Sequence, residues 1–383
     1  MPGFNGNRLK EMRIIRKMTL EQLAQALGMT KQAVSKYEHG QSIPTPETIG
    51  KMLRILDMPY KYLCKEDISF NAECSALFFR AGCTTTHGNV AFADIQCRWG
   101  YEILSAVETP FEKLFNLPNF NNDLTIAERA IELRKHWKMG LLPIKNMIQL
   151  LERNGIFVFV INTTEVKTDA YSRIINNIPI IVLNKSKGTA VRWRFSLAHE
   201  LGHLLLHGGL SVRDFVLGEK KLEDEANLFA EYFLMPEDGF KNSVIATKLE
   251  HLIPLKKEWG VSIAAILYHC NRIGLIDSQR SKSLQIQMSK LGWKKKEPLD
   301  DELEYECPKL LESILSEQVK DNNSFSSFYN NVGLPIGEIE SLCSLQAGHF
   351  SSYLEDEPFE NVSLEEPLIE QMSMFREGDF PNA

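Results

Sequence analysis

The sequence predicts a multidomain, mainly α-helical protein with an α+β domain at its centre. Three observations predict it: a basic head of short helices broken by tight turns, a middle in which helices and strands alternate around one histidine-rich helix, and helical segments that lead into an acidic end. At 383 residues the chain is long enough for two or three domains, each with its own core. Hydrophobic residues at 44% and charged residues at 24% lie near globular averages, so most of the chain is expected to fold.

Taken in order, residues 1–65 read as an all-α helix-turn-helix bundle. Residues 66–124 are of mixed character, a linker or interface region with a strand-like Ala76-Leu77-Phe78-Phe79-Arg80 and polar turn material from Cys83 to Gly88. Residues 125–290 alternate helix and strand, which suits a small sheet backed by helices, and residues 291–345 read as a helical C-terminal region. Residues 346–383 form an acidic tail expected to be loosely ordered: nine acidic residues and one basic residue lie between Glu355 and Asp379, with Pro358 and Pro367 breaking any helix.

The charge is uneven. The net −7 argues against nucleic acid, yet residues 1–65 hold eleven Lys/Arg against five Asp/Glu, a net of +6 that leaves −13 on the rest. A basic head on an acidic body is the pattern of a nucleic-acid module fused to something else. The seven cysteines are odd in number and widely spaced, with no Cys-x-x-Cys, so neither a disulfide framework nor a zinc ribbon is indicated. The apolar run Ile156–Ile161 is far too short to span a bilayer, and the first residues lack the apolar stretch of a secretory signal. A cytoplasmic protein without a membrane partner is expected.

Within the head, Leu9, Met12 and Ile15 fall at helical spacing. Thr19 stands as an N-cap before a helix whose Leu23, Ala24 and Leu27 share one side; Gly28 ends it, and Thr30 caps the next helix, Lys31 to Glu38. Two short helices joined by a glycine-containing turn are the helix-turn-helix pattern. The second helix buries Val34 and Tyr37 and offers Lys31, Gln32, Ser35 and Lys36 outward. Amide and ammonium groups suit base edges in the major groove, and hydroxyl and positive charge suit phosphates. A further amphipathic helix, Glu47–Leu56, completes a bundle of four or five. With Thr19, Leu23-Ala24, Gly28, Thr30, Val34-Ser35-Lys36-Tyr37-Glu38 and Gly40, this segment resembles the XRE (Cro-type, phage-repressor-like) helix-turn-helix family. The resemblance implies binding to double-stranded operator DNA, usually as a homodimer on paired half-sites. Leu20 departs from the family, which often has Gln after the capping Thr.

The most informative stretch runs from Arg194 to Gly209 and contains His199-Glu200-Leu201-Gly202-His203. Positions four apart lie on one helix face, so His199 and His203 can present two imidazole nitrogens to a single zinc ion (Zn2+). Glu200 follows the first ligand and is the candidate catalytic base toward a zinc-activated water, passing the proton on to the leaving amine. A core helix is the bland alternative, but a Glu between two His in an apolar run is an expensive core composition. Gly208-Gly209 offers the helix a stop.

A third ligand is needed. In the metzincin arrangement it would be a His six residues after His203, where Gly209 stands, and the Gly expected three residues after is Leu206. A carboxylate from the later helix Glu223–Met235 remains. Glu223 lies three residues before Ala226 on the apolar stripe of Ala226, Phe229, Ala230 and Phe233, with Glu225 as the competing candidate. Asn227 is placed to orient a ligand histidine.

These segments, with the preceding Ile178-Pro179-Ile180-Ile181-Val182-Leu183-Asn184 and the later Val261-Ser262 and Ala265-Ile266-Leu267-Tyr268, resemble the ImmA/IrrE family of metallopeptidases over roughly residues 125 to 290. The resemblance implies a zincin-like fold, a gluzincin-type site and a role in relieving gene repression by cleaving or otherwise acting on a repressor, in phage, mobile-element or stress-response circuits. His207 continues the histidine stripe and reads as a helix-end residue or a transition-state donor. Tyr171, Arg173 and Tyr232 are possible substrate contacts, and Lys294-Lys295-Lys296 reads as a solvated run.

The expected function is a DNA-binding transcriptional regulator whose zinc-dependent endopeptidase domain, its activity possibly latent, cleaves a repressor or other protein partner. The alternative is a non-hydrolytic regulator or antitoxin whose zinc domain senses a signal or binds a partner. An intact Glu200 favours the enzyme, because structure alone needs the ligands and not this base.

Overall fold

A computed structural model of the chain describes residues 3–69, 87–107, 123–164, 168–186, 188–210 and 212–354, together with Leu77, Pro118 and Phe120. Most of the strand-like stretch at Ala76–Arg80, residues 83–86 of the polar turn and the acidic residues from Glu355 onward lie outside the described residues.

The elements begin with α1 (Gly6–Ile15), α2 (Leu20–Leu27), α3 (Lys31–Glu38), α4 (Pro46–Leu56), α5 (Tyr60–Leu63) and α6 (His87–Ser105). Next come α7 (Ile126–His136), α8 (Met147–Arg153), β1 (Phe157–Ile161), β2 (Ala170–Ile175), β3 (Ile178–Asn184), α9 (Ala190–His207) and α10 (Val212–Leu234). The remainder is helical: α11 (Glu237–Ser243), α12 (Leu249–Trp259), α13 (Ile263–Arg272), α14 (Ser278–Lys290), α15 (Leu310–Gln318), α16 (Asn322–Val332), α17 (Ile336–Leu342) and α18 (Ser351–Leu354). The chain divides into two compact units, one from Met1–Ser69, Val90–Glu108 and Ser313–Ala383, the other from Phe70–Asn89 and Thr109–Glu312.

In the first unit, local chemistry sets the helix ends. Thr19 accepts from the Gln22 amide while the Gln22 side chain accepts from the Thr19 amide, a reciprocal capping box. Gly28 takes the left-handed conformation (φ 69°) that closes α2, and Thr30 accepts from the Ala33 amide to open α3. The apolar faces are buried through Leu9, Met12, Leu23, Ala24, Val34, Ile49, Met52 and Leu56. Tyr37, expected inside, is only half-buried and meets Phe4 edge-on. Three of the head's cations are structural. Arg13 grips buried Glu38 through both carboxylate oxygens, Arg16 donates to Leu56 O and to Glu338 of α17, and Arg8 is buried between Glu11 and Glu102. Tyr62 OH donates to Glu11 and accepts from Trp99 Nε1 at 2.7 Å, which ties α5 to α6. Lys65 donates to Val332 O at 2.9 Å, so α16 packs in the same unit as the head.

The second unit contains a three-stranded sheet of order β1-β3-β2, with β1 parallel and β2 antiparallel to the central β3. Asn176 and Asn177 both have positive φ (47° and 64°) in the two-residue turn from β2 to β3, a conformation that Asn tolerates better than most residues other than Gly. Every residue of β3 is buried, as its continuous apolar run requires. α9 packs on this sheet and against α10. Gly202 permits the close approach: a Cβ there would lie 3.2 Å from both Ala226 Cα and Phe229 Cδ1. Arg134 of α7, itself buried, donates to Phe233 O at 2.6 Å and so satisfies a carbonyl at the end of α10. Residues 291–309 form turns rather than helix; Glu306 caps α8 through the Met147 and Ile148 amides, and Glu297 caps α13 through those of Ile263 and Ala264. Among the described residues no helix is long and apolar enough to cross a membrane.

Candidate functional site

α9 carries His199, His203 and His207 at four-residue intervals, and all three rings are buried. Glu223 and Glu225 come from α10. The hydrogen bonds around this cluster fix where its protons sit.

Nδ1 of His199 faces Oδ1 of Asn227 at 3.0 Å. An amide oxygen only accepts, so His199 carries its proton on Nδ1 and its Nε2 is bare. Farther along the helix, Oε2 of Glu225 stands 3.0 Å from Nε2 of His207, and Nδ1 of His207 stands 3.0 Å from Nδ1 of His203. A carboxylate accepts, so His207 donates from Nε2. Burial lowers the pKa of His207 and keeps it neutral, which leaves its Nδ1 to accept from His203 Nδ1–H. Nε2 of His203 is therefore bare as well.

Two bare imidazole nitrogens and a carboxylate thus converge. His203 Nε2 lies 3.1 Å from His199 Nε2 and 3.2 Å from Glu223 Oε1, and His199 Nε2 lies 3.4 Å from Glu223 Oε2. Burial brings the His203 pKa down to about 4, so the ring is neutral. Acceptors at this spacing repel one another without a cation between them. Atoms bound about 2.0–2.1 Å from a tetrahedral ion stand roughly 3.3–3.4 Å apart, so this donor set fits zinc. Among the described residues His199, His203 and Glu223 form a group of metal-ligating type, their ligand atoms all within 4.8 Å of one another. Glu225, the competing candidate, meets His207 instead.

Glu200 follows His199 and is 3% exposed, its Oε2 accepting from Ser172 Oγ of β2 at 2.6 Å. Ser172 escaped the sequence reading. Its signal is a small polar residue, here fully buried, in a strand that otherwise reads Ala-Tyr-Ser-Arg-Ile-Ile. His207 is the last residue of α9, 2% exposed, and its ring bridges His203 to Glu225. Tyr171, also on β2, is fully buried, while Tyr232 stacks edge-on with His269.

On α3 of the first unit, Lys31, Gln32 and Lys36 are exposed and Ser35 is half-buried. Lys31 Nζ lies 3.9 Å from Glu21 Oε2, a loose surface pair that leaves the ammonium accessible. Ser35 Oγ is 3.5 Å from His39 Nδ1. These four side chains belong to a different unit from the histidine cluster.

Residues 9–63 match the helix-turn-helix family model, and residues 151–271 match that of the IrrE N-terminal-like domain, a peptidase family. The chain joins a helix-turn-helix module to an IrrE N-terminal-like domain. The first module is also similar to an uncharacterized HTH-type transcriptional regulator, RghRB of Bacillus subtilis (strain 168), with 41% identity over 59 residues. That match covers 15% of this chain and 42% of the relative, so it concerns the head alone. The second family match contains the whole histidine cluster, Glu200, Glu223 and Ser172.

Proposed function

We propose that this protein is a DNA-binding transcriptional regulator whose IrrE-like domain is a zinc endopeptidase acting on a repressor or other protein partner. The observation that carries the reading is the convergence of His199 Nε2, His203 Nε2 and the Glu223 carboxylate, a set of metal-ligating type whose atoms lie within 4.8 Å of one another.

In this reading His199, His203 and Glu223 hold the zinc. Bound there, zinc supplies Lewis acidity that polarises a scissile carbonyl and makes water easier to deprotonate. Glu200 takes a proton from the attacking water and returns it to the departing amine nitrogen, so that peptide and water become a carboxylic acid and an amine. Ser172 keeps one Glu200 oxygen engaged and thereby fixes the carboxylate rotamer. Asn227 fixes the His199 ring. Among the described residues β2, which carries Ser172, is an edge strand, and an edge gives an extended backbone a ladder to add to. The outward Lys31, Gln32, Ser35 and Lys36 of α3 read operator DNA, with the protein acting as a homodimer on paired half-sites.

The test is Glu200→Gln in a cleavage assay with proteins encoded by neighbouring genes as substrates. Zinc content should be unchanged while cleavage falls by about 10²- to 10⁴-fold. Cleavage that survives Glu200→Gln overturns the mechanism. A chain that holds zinc and operator DNA but cleaves none of those proteins is the non-hydrolytic regulator instead.

A further inference from the structure

We propose that Glu225 and His207 form a hydrogen-bonded relay that positions His203 and sets how tightly the centre holds zinc. The inference rests on the zinc reading above and extends it to two residues outside the ligand set.

The relay has a direction. Glu225 Oε2 lies 3.0 Å from His207 Nε2, and His207 Nδ1 lies 3.0 Å from His203 Nδ1. A carboxylate only accepts, and a His203 that binds metal through Nε2 keeps its proton on Nδ1, so the chain of donors runs from His203 through His207 to Glu225. Each link fixes the tautomer of the next, and the last link turns the lone pair of His203 Nε2 toward Glu223 and His199. Asn227 does the same for His199 in one step. The two ligand histidines are therefore oriented by different means, a neutral amide on one side and a carboxylate acting through a second imidazole on the other. A carboxylate behind a ligand imidazole raises its basicity and so strengthens its bond to a metal. His207 is buried among these groups, whereas the ammonium near Glu225, Lys221 Nζ, stands 3.6 Å away on a side chain that is 81% exposed and competes weakly.

The geometry also separates the relay from a ligand role for Glu225. Glu223 engages both Nε2 atoms, while Glu225 touches the histidine one turn beyond them. Its influence on the centre runs through His207. Removing His207 should thus make Glu225 irrelevant to zinc.

The experiment uses the full chain and measures Zn2+ affinity by competition with a chromophoric chelator, with the Co2+ d–d absorption of the cobalt-loaded protein as a second readout. Glu225→Gln and His207→Ala should each weaken Zn2+ retention about tenfold or more. The double variant should be no weaker than His207→Ala alone. His207→Asn keeps an acceptor for His203 Nδ1 but not the link to Glu225; it should recover part of the affinity and be insensitive to Glu225→Gln. The Co2+ spectrum should shift in Glu225→Gln, which a purely structural role would leave in place. If His207→Ala fails to fold, the isosteric Glu225→Gln and the Asn variant carry the same comparison. Unchanged affinity and spectrum in Glu225→Gln, with zinc binding intact in the parent and lost in His203→Ala, overturn the relay and leave the zinc site standing. A full Glu225→Gln effect persisting in the His207→Ala background also overturns it. A parent chain that takes up no Zn2+ overturns both.

Discussion

Ser172 Oγ on β2 donates a 2.6 Å hydrogen bond to Glu200 Oε2 on α9, both groups buried. The bond makes the sheet a participant in the chemistry proposed for the helix, because it holds the base in one rotamer. Ser172→Ala should reduce cleavage about tenfold while Zn2+ content stays the same. A Ser172→Ala protein with parental cleavage rates would show that the helix alone positions Glu200.

The close approach of α9 and α10 gives a second prediction. A Cβ at position 202 would press on the Ala226 Cα and the Phe229 ring, each 3.2 Å away, and the backbone atom can move only if α10 moves. Gly202→Ala should cost about 1–3 kcal/mol. Because Glu223 rides on α10, Zn2+ affinity should fall in parallel with the thermal midpoint. A lower midpoint with unchanged zinc affinity would mean that α10 yields elsewhere.

Acid should weaken the metal-free chain at this site. The His203 pKa of about 4 in the folded protein lies below its ordinary 6.5, so the unfolded chain takes up the proton first. The stability that His203 contributes is present above pH 6.5 and is lost progressively as pH falls toward 4. Thermal midpoints of the chelator-treated protein should therefore drop from pH 7 to pH 4. His203→Gln should flatten the upper part of that slope.

The face of α3 proposed to read operator DNA gives a fourth prediction. Gln32→Ala should cost about 1–3 kcal/mol at the base pair it reads and relax specificity there. Lys36→Ala should weaken binding to all sequences and reduce the salt dependence by about one counterion. Fluorescence anisotropy over a salt series measures both, and zinc content should be untouched. Equal losses on specific and random DNA for Gln32→Ala would assign that side chain to the phosphates.

Much of this arrangement was legible in the chain because it is local. The caps at Thr19 and Thr30, the left-handed Gly28 and the apolar strand Ile178–Asn184 each follow from a few adjacent residues. Histidines four apart on one helix likewise announce a shared face, and a carboxylate beside the stripe of Ala226 and Phe229 pointed to Glu223. What escaped is non-local. Nothing in the periodicity of β2 says that Ser172 will meet Glu200, because strand-to-helix register is set by packing. Charge counting overstated the head's freedom to meet phosphates: Arg8, Arg13 and Arg16 look like surface cations in sequence, yet each answers a carboxylate within the fold. The packing of α16 beside the head, through Lys65 and Val332, joins residues far apart in the chain that no short pattern links.

The division into two units has a topological consequence. Both the head and the C-terminal helices belong to one unit, and the chain passes back and forth between it and the other at 69/70, 89/90, 108/109 and 312/313. The IrrE-like segment is thus threaded into its regulator like a cassette rather than hung from its end. A single cut at 69/70 frees residues 1–69 from the rest of the chain, yet the other two segments of that unit, Val90–Glu108 and Ser313–Ala383, stay covalently joined to the IrrE-like segment. Parting the whole of one unit from the other takes more than one incision.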